Sequence, residues 1–359
     1  MLHSNKIEIA VLGAGSVGCY IGGCLISAGE QLVFIGHVRV QKQLLEHGLH
    51  LSNYKNRQLY IAPEEINFTT QIEGIATADY ILLTVKSGDT AQAASDILDH
   101  AKPSAVIVSF QNGIQNARIL QSQLPNHQLV KAMVPFNILS SGNGWFHCGT
   151  EGNLAIEAKD DQYHNLIRAF EKAGLPFTVY PDISGVQWGK LIMNLNNAVN
   201  ALCGEPLLAQ LNKREFRKIM SLVIAEALTV MKHAGITPAR TGKVIPKLMP
   251  HMLLLPNWLF KRVASATLKI DPKARSSMYE DLMLRRKTEI DFLNGEIVNL
   301  AERHKISAPI NQVIVGLVKD ASKKRAGSPR LSAKQIQTAI SKASVTDPNI
   351  PDDDTPKII

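Results

Sequence analysis

The sequence predicts an α/β N-terminal domain, built on a mainly parallel sheet, followed by an all-α C-terminal domain. In the first half, short apolar runs alternate with stretches of helical periodicity, as expected for strands that are buried on both faces and joined by helices. After Ser184, apolar positions recur at helical spacing and β-rich runs become few. We therefore predict a first domain over residues 1–183, a helical domain over 184–326 and a partly disordered tail over 327–359.

Each element follows from its local pattern. Strands are predicted at the apolar runs 7–12, 31–35, 80–85, 105–110 and 129–134. Two later runs, NLAIEA and PFTVY, predict further strands, with antiparallel pairing among them, that extend the same sheet. Beyond Ser184, helices are predicted over 186–202, 215–234 and 288–304, a short helix over 333–342, and disorder in the last dozen residues.

Composition excludes several classes of protein. Of the 359 residues, 45% are hydrophobic and 19% are charged, as in ordinary globular chains. The net charge of +8 suits anionic small molecules, but no nucleic-acid-binding module accompanies it. The most apolar stretch, 249–260, contains two prolines and is shorter than the roughly 20 residues of a membrane span. Because the N-terminus shows no secretory pattern, we expect a cytoplasmic protein that binds neither nucleic acid nor membrane.

The cysteines predict no metal centre. Cys19, Cys24, Cys148 and Cys203 form no CxxC pair and lack the spacing of zinc ligands. We therefore expect buried, reduced thiols. The sequence does not fix the oligomeric state, and a homodimer is compatible with it.

A glycine-rich loop follows the first predicted strand and opens a helical pattern. The loop residues are Gly13, Ala14, Gly15, Ser16, Val17 and Gly18, which match GxGxxG. In this motif the first glycine permits a tight turn, the second lets the backbone approach a pyrophosphate, and the third lets the helix pack on the strand. The helix N-terminus offers N–H groups to the phosphates. This context predicts a Rossmann-type dinucleotide-binding domain, whereas a strand–helix turn without ligand is the alternative.

The end of the second predicted strand bears on the choice of dinucleotide. NAD-binding proteins usually place an acid there against the ribose 2′-hydroxyl, but residues 34–39 contain none. Arg39, aided by His37, is suited instead to a 2′-phosphate. We therefore predict NADP (NADPH) rather than NAD, with the alternative that both residues belong to an ordinary surface loop.

Further motifs occur in order along residues 7–325 of both predicted domains. They are AVLGAGSVG, Thr84-Val85-Lys86, Gln111-Asn112-Gly113, Trp188-Gly189-Lys190-Leu191 with Asn194, Ser276-Ser277-Met278, and Lys287-Thr288-Glu289-Ile290-Asp291-Phe292-Leu293-Asn294-Gly295. Together they resemble the ketopantoate reductase (2-dehydropantoate 2-reductase) family of pantothenate biosynthesis. The resemblance implies a dinucleotide domain followed by a helical domain, and NADPH-dependent reduction of ketopantoate, a small 2-keto acid, to pantoate.

The resemblance also implies roles for individual residues. Lys190 matches the general acid that protonates the keto oxygen, a role that suits an amine because a cation polarises a carbonyl and stabilises a developing alkoxide. Asn194, one helical turn further on, matches an asparagine that binds the substrate. Asn112 matches an asparagine near nicotinamide and substrate, and Lys86 a lysine that contacts the cofactor. An Asn-Gly turn without ligand remains the alternative for Asn112.

Ser277 and Glu289 complete the expected site. The resemblance implies that Ser277 binds the substrate carboxylate and that Glu289 orients Lys190 or contacts the cofactor. In one straight helix these two residues would lie about 18 Å apart, too far for one small substrate. We therefore predict a short helix from Ser277, a turn near 285–287 and a long helix from Thr288. The structural alternatives are a helix N-cap for Ser277 and a first-turn carboxylate for Glu289.

Two departures from the family pattern leave the substrate open. Ala198 stands where the family expects a second substrate-binding asparagine, and Asn197 is the nearby residue suited to replace it. Asn196 and Asn200 are read as helix-surface or inter-helix polar residues. The apolar stretch 241–275 predicts either a larger pocket or an oligomer contact. Reduction of another 2-keto acid is therefore one alternative function, and a non-catalytic NADP-binding sensor is a second.

Overall fold

The computed structural model describes residues 7–150, 152–159, 162–240, 244–267 and 274–345. The chain divides into two compact units, Met1–Ser184 and Gly185–Ile359, called here the N-terminal and the C-terminal unit. Part of the apolar stretch 241–275 and the predicted disordered end of the tail lie outside the described residues.

The strands all belong to the N-terminal unit in the described part of the chain. They are β1 (Ile9–Leu12), β2 (Leu32–Ile35), β3 (Leu49–Asn53), β4 (Gln58–Ile61), β5 (Phe68–Thr69), β6 (Tyr80–Leu83), β7 (Val106–Ser109), β8 (Gln128–Met133), β9 (Ile138–Gly142), β10 (Trp145–Cys148), β11 (Leu154–Glu157) and β12 (Phe177–Tyr180).

Helices occur in both units. The N-terminal unit contains α1 (Ser16–Ser27), α2 (Val38–His47), α3 (Thr90–His100), α4 (Gln115–Gln123) and α5 (His164–Lys172). The C-terminal unit contains α6 (Ser184–Asn194), α7 (Asn196–Cys203), α8 (Leu207–Asn212), α9 (Arg214–His233), α10 (Met249–Leu254), α11 (Asn257–Thr267), α12 (Ser277–Met283), α13 (Asn294–Arg303), α14 (Pro309–Lys324) and α15 (Ala333–Val345). Short 3-10 turns lie at Pro63–Glu65, Ile72–Ile75, Ser87–Asp89, Pro246–Leu248 and Ile290–Phe292.

The main sheet confirms the predicted fold class. Its strand order is β12-β11-β8-β7-β6-β1-β2-β5, with parallel pairing from β8 to β5. The two later runs form β11, which pairs antiparallel with β8, and β12, which pairs parallel with β11. Strands β1, β6 and β7 are almost wholly buried because helices cover the sheet, which explains their uninterrupted apolar sequence.

A second, smaller sheet was not predicted from the sequence. Its order is β4-β3-β10-β9. Strands β3 and β10 pair in parallel although they lie almost a hundred residues apart in the chain, and Ser52 Oγ lies 2.8 Å from His147 Nδ1 across this pair. The Asn-Gly turn of the β9–β10 hairpin indicates a hairpin in the sequence, but it was not used in the sequence analysis. Asn143 and Gly144 connect these strands, and both have positive φ, as a type I′ turn requires.

The apolar stretch 241–275 forms the helices α10 and α11 where it is described. Arg217 of α9 is fully buried and holds these helices by donating to the carbonyl oxygens of Leu253 (3.0 Å) and Leu255 (2.8 Å). Its guanidinium also lies 4.2 Å from the centroid of the Phe260 ring. Carbonyl oxygens therefore satisfy a buried charge that would otherwise be costly.

Three predicted helices differ from those observed. The helix expected over 186–202 is divided at Leu195 into α6 and α7. The long helix expected from Thr288 begins at Asn294 as α13, because a 3-10 turn precedes it. The short helix expected over 333–342 extends to Val345, and it packs against α9 and α14 through its buried face. Apolar periodicity locates helices but does not fix where they begin and end.

The described helices include none with the length and hydropathy that would let it cross a bilayer. The same residues contain no cluster of three or more His, Cys, Asp or Glu side chains arranged to hold a metal ion. The four cysteines are buried and free, as the sequence predicted.

Substitution of Gly18 tests how closely α1 packs on the main sheet. A Cβ added there would lie 2.5 Å from the Gly13 carbonyl oxygen and 2.7 Å from Thr84 Oγ1. We expect Gly18→Ala to lower the free energy of unfolding by about 1–3 kcal/mol because the helix has to move away from the sheet. Urea unfolding followed by circular dichroism measures this.

Gly316→Ala is the matched control for that experiment. Gly316 lies in α14 with open space around its Cβ position. The same substitution there should raise the free energy of unfolding by about 0.5–1 kcal/mol, since alanine has the higher helix propensity. Equal effects of the two substitutions would contradict the close approach at Gly18.

Candidate active site

The glycine-rich loop is a tight turn between β1 and α1. Gly13 has φ of +106°, and its N–H and that of Ala14 both donate to the Ile35 carbonyl at 3.0 Å. The Thr84 hydroxyl donates to the Gly13 carbonyl at 2.7 Å and fixes the loop from the neighbouring strand. The position of the loop is therefore set by β2 and β6 as well as by its own glycines.

The start of α1 has the properties of an anion site. A Cβ on Gly15 would meet only the Gly13 carbonyl oxygen, at 3.9 Å, so the space in front of this residue is open. The N–H groups of Ser16, Val17 and Gly18 belong to the first helical turn, where no preceding carbonyl of the helix is available to them. No acidic residue lies in this turn. The turn thus fits the pyrophosphate of a dinucleotide.

His37 and Arg39 leave the sheet beside this loop. They follow β2 at the start of α2, where both are exposed and His37 occupies the N-cap position. Gly36, just before them, approaches the loop so closely that a Cβ there would lie 2.8 Å from the Ala14 Cβ. The first turn of α2 contains no acidic residue. Arg39 is thus a cation in the first turn of α2, close in sequence to the residue that approaches the loop.

Lys86 and Asn112 follow β6 and β7, which are paired neighbours in the main sheet. Since β1, β2, β6 and β7 are parallel, the residues after them share one edge of the sheet with the glycine-rich loop. Lys86 is the N-cap of the 3-10 turn Ser87–Asp89 and is half-buried, as is Asn112. The structure therefore brings the predicted residues of the N-terminal unit to the carboxyl edge, where ligands of open α/β sheets bind.

Polar residues to which the sequence analysis assigned no role form hydrogen bonds at and beside Asn112. The Asn112 carbonyl accepts hydrogen bonds from Ser87 Oγ at 2.7 Å and from Asn116 Nδ2 at 2.5 Å. Gln111 Nε2 donates to Thr90 Oγ1 at 2.7 Å and to the Val85 carbonyl at 3.2 Å. These bonds connect the ends of β6 and β7. Their sequence signal was weak, because Ser, Thr, Asn and Gln near strand ends usually form local turns.

Lys190 and Glu289 interact within the C-terminal unit. Lys190 lies on α6, and Glu289 immediately precedes the 3-10 turn Ile290–Phe292. Burial lowers the pKa of Lys190 to about 8, and the negative charge of Glu289 opposes that decrease. An amine with this pKa is able to hold and release a proton near neutral pH. The first-turn alternative for Glu289 is wrong, since the helix begins five residues later, at Asn294.

Asn194 and Asn197 lie on opposite sides of the break at Leu195. Asn194 remains on α6 with Lys190, and both are half-buried. Asn197 belongs to α7, and its carbonyl accepts a hydrogen bond of 3.0 Å from Ser276 Oγ. The prediction that Asn197 continues the Lys190 helix is therefore wrong, although α7 does connect it to the serine pair.

The N-cap of α12 is Ser276 and not Ser277. Ser276 Oγ accepts from the Tyr279 N–H at 3.1 Å, and the Ser276 N–H donates to Asn200 Oδ1 at 2.9 Å. Ser277 is the first residue of α12 and is exposed. The capping alternative for Ser277 is thus wrong. The short helix and the turn at Arg285, which has φ of +55°, agree with the prediction.

Asn196 and Asn200 are polar residues that connect helices, one of the two structural roles that the sequence predicted for them. Gln210 bridges them, since its Nε2 donates to Asn196 Oδ1 at 2.7 Å and its Oε1 accepts from Asn200 Nδ2 at 2.8 Å. Gln210 and Asn200 are fully buried. These amides satisfy one another inside the helical unit and fix α7 against α8 and α12.

Sequence comparison relates both units to one family. Residues 9–161 match the model described as ketopantoate reductase PanE/ApbA, and residues 182–322 match its C-terminal counterpart. The 2-dehydropantoate 2-reductase of Pyrococcus horikoshii is 29% identical over 322 residues, which span 87% of this chain and 97% of that protein.

Structural comparison gives the same relationship. A PanE/ApbA family ketopantoate reductase from Ralstonia eutropha JMP134 superimposes with a TM-score of 0.76 at 28% identity, covering 89% of this chain and 99% of the other. D-mandelate dehydrogenase with NADH and anilino(oxo)acetate shares the fold, with a TM-score of 0.73 at 18% identity and coverage of 89% and 99%. The chain belongs to the ketopantoate reductase PanE/ApbA family and is an oxidoreductase of that type.

Proposed function

We propose that the protein reduces 2-dehydropantoate to pantoate with NADPH, with Lys190 as the general acid. The observation that carries the proposal is the Lys190–Glu289 pair, an amine whose pKa is lowered to about 8 beside a carboxylate, at the family motif of the helical unit. The relatives named 2-dehydropantoate 2-reductase support the substrate. The assay is oxidation of NADPH by the purified protein with 2-dehydropantoate.

The residues of the C-terminal unit have complementary tasks in this proposal. Protonated Lys190 polarises the keto carbonyl and then gives its proton to the oxygen, while Glu289 keeps the ammonium form available. Asn194 hydrogen-bonds the substrate beside Lys190. Ser277 binds the substrate carboxylate through a hydroxyl that does not cap its own helix. Asn197 binds the substrate from α7.

The residues of the N-terminal unit hold the cofactor in this proposal. The open space in front of Gly15 and the first-turn amides of α1 receive the pyrophosphate, and His37 and Arg39 receive the 2′-phosphate. Lys86 and Asn112 contact the cofactor at the same edge of the sheet. When bound, the reduced nicotinamide supplies the hydride.

Another 2-keto acid is the second candidate substrate. Ala198 is fully buried on α7 at the position where the family pattern has an asparagine, so the chain lacks one polar contact there. A site with fewer polar groups discriminates less strongly for a hydroxyl-bearing substrate such as ketopantoate. A panel of 2-keto acids, compared by kcat/KM with NADPH, decides between the two.

The pH dependence of kcat/KM should report the ionisation of Lys190. Because a general acid has to be protonated, kcat/KM should decrease as pH rises through the pKa of Lys190, about 8.

Lys190→Gln should lower kcat about 10²- to 10⁴-fold. Glu289→Gln should move the alkaline decrease to lower pH, since removing the negative charge disfavours the ammonium form.

Glu302→Gln is the matched control for Glu289→Gln. Glu302 is an exposed carboxylate of α13, and it is not among the groups that shift the pKa of Lys190. Its neutralisation should leave the pH profile unchanged. A profile that is flat above pH 8 in the wild-type protein would exclude Lys190 as the proton donor.

At Gly15, cofactor binding can be tested separately from folding. Gly15→Ala adds a methyl group to open space, so stability should stay within about 0.5 kcal/mol of the wild type. The methyl group should nevertheless weaken NADPH binding about 10-fold or more, because it keeps the backbone away from the pyrophosphate. Fluorescence titration with NADPH measures the Kd, and unchanged affinity would contradict the phosphate site.

Arg39→Ala tests the choice of dinucleotide. Loss of a charged hydrogen bond to the 2′-phosphate should weaken NADPH binding about 10- to 100-fold and leave NADH binding unchanged. The two Kd values are compared by the same titration. Equal losses for both cofactors, or no loss for either, would show that Arg39 does not read the 2′-phosphate.

A further inference from the structure

The segment after residue 326 lies beyond the part of the chain that the family models match. The C-terminal family model ends at residue 322, close to the end of α14. Residues 327–345, here called the C-terminal extension, continue with a bend and then α15. Ile336 and Ile340 of α15 are buried, and α15 packs on α9 and α14. The extension is therefore an integral part of the C-terminal unit.

The extension completes the end of α7. The last carbonyls of a helix have no partner within it and need hydrogen bonds from elsewhere. The Ala201 carbonyl accepts from Ser328 Oγ at 2.7 Å, and the Leu202 carbonyl accepts from the Leu331 N–H at 2.8 Å. Gly204, just after the helix, comes so close to the extension that a Cβ there would lie 2.6 Å from Ser328 Oγ. Residues outside the family match thus fix this helix end.

Helix α7 in turn holds the start of α12. Asn200 Oδ1 accepts from the Ser276 N–H at 2.9 Å, and the Asn197 carbonyl accepts from Ser276 Oγ at 3.0 Å. Ser276 is buried and caps α12, whose first residue is Ser277. A displacement of α7 would therefore displace Ser277.

The extension also touches the other end of α12. A Cβ on Gly327 would lie 2.9 Å from Met283 Sδ, so the backbone of the extension passes directly beside the last residue of this helix. The extension therefore contacts both α7 and α12, the helices that carry Asn197 and Ser277.

We propose that the C-terminal extension is a positioning element of the keto-acid site, in which Ser328 and Leu331 hold α7 so that Asn197 and Ser277 keep their relative places. Ser328 acts through α7 and does not itself contact the substrate. The inference rests on the substrate-binding roles proposed above for Asn197 and Ser277. A helix end that loses its hydrogen-bond partners opens locally more often, which lowers the fraction of molecules with the site assembled.

The test compares three variants at two serines of the extension, Ser328 and Ser332. Ser328→Ala removes the hydrogen bond to α7 and should raise KM for 2-dehydropantoate about 3- to 10-fold, with kcat and the Kd of NADPH nearly unchanged. Ser328→Thr keeps the hydroxyl and should restore the wild-type KM. Ser332→Ala is the control, because the Ser332 hydroxyl bonds only to Gln335 of α15 among the described contacts.

Two truncations extend the comparison. A chain that ends at Val345 keeps the whole extension and should have the wild-type KM. A chain that ends at Ala326 should show a KM at least as high as that of Ser328→Ala, provided that circular dichroism shows it to be folded. Identical KM values for Ser328→Ala, Ser332→Ala and the wild type would overturn the proposal whether or not the shorter chain folds.

Amide hydrogen exchange separates this proposal from the proposed function. Ser328→Ala should accelerate exchange of the Ser276 and Tyr279 N–H groups, which depend on α7, whereas Ser332→Ala should not. If the wild type reduces no 2-keto acid, the proposed function fails, and the exchange rates still decide whether the extension holds α12. If turnover is normal but neither KM nor exchange responds to Ser328→Ala, the positioning role alone is wrong.

Discussion

The close approach of α1 to the strands beneath it is the constraint on which the N-terminal unit depends. The Gly13 carbonyl receives the Thr84 hydroxyl at 2.7 Å, and the same carbonyl is the atom that a Cβ on Gly18 would strike. Strand β6 and helix α1 therefore meet at a single backbone oxygen, with no room for a side chain. This contact fixes the first turn of α1, whose N–H groups have no carbonyl partner within the helix, so the turn is suited to an anion as a consequence of packing.

The C-terminal unit is organised by a different principle, the satisfaction of buried polar groups. Its helices are interrupted at Leu195 and before Asn294, and each interruption leaves backbone groups that need partners. Buried side chains supply such partners at other helix ends, where Asn200 accepts from the Ser276 N–H and Arg217 donates to the Leu253 carbonyl. Such bonds are directional, so they place helices more narrowly than apolar contact does.

Two opposing electrostatic effects set the pKa of Lys190. Burial disfavours its ammonium form, and Glu289 favours it, which leaves the pKa at about 8 rather than at the usual value of a lysine. Without burial the amine would be a weaker acid, and without the carboxylate it would lose its proton more readily. An amine with this pKa is able to hold and release a proton near neutral pH, and the carboxylate that adjusts it lies just ahead of the helix that begins at Asn294.

The sequence by itself determined the alternation of buried strands and helices, the glycine-rich loop and the change to an all-helical second half, because these depend on local periodicity and on residues adjacent in the chain. It also singled out Lys190 and Glu289 through their motifs, and the structure shows that the charge of Glu289 acts on Lys190. Only the tertiary structure decided that β3 and β10 join in a second sheet, that Ser276 rather than Ser277 caps α12, and that Ser328 completes α7. These features depend on hydrogen bonds between residues far apart in the chain, whose partners no local pattern specifies.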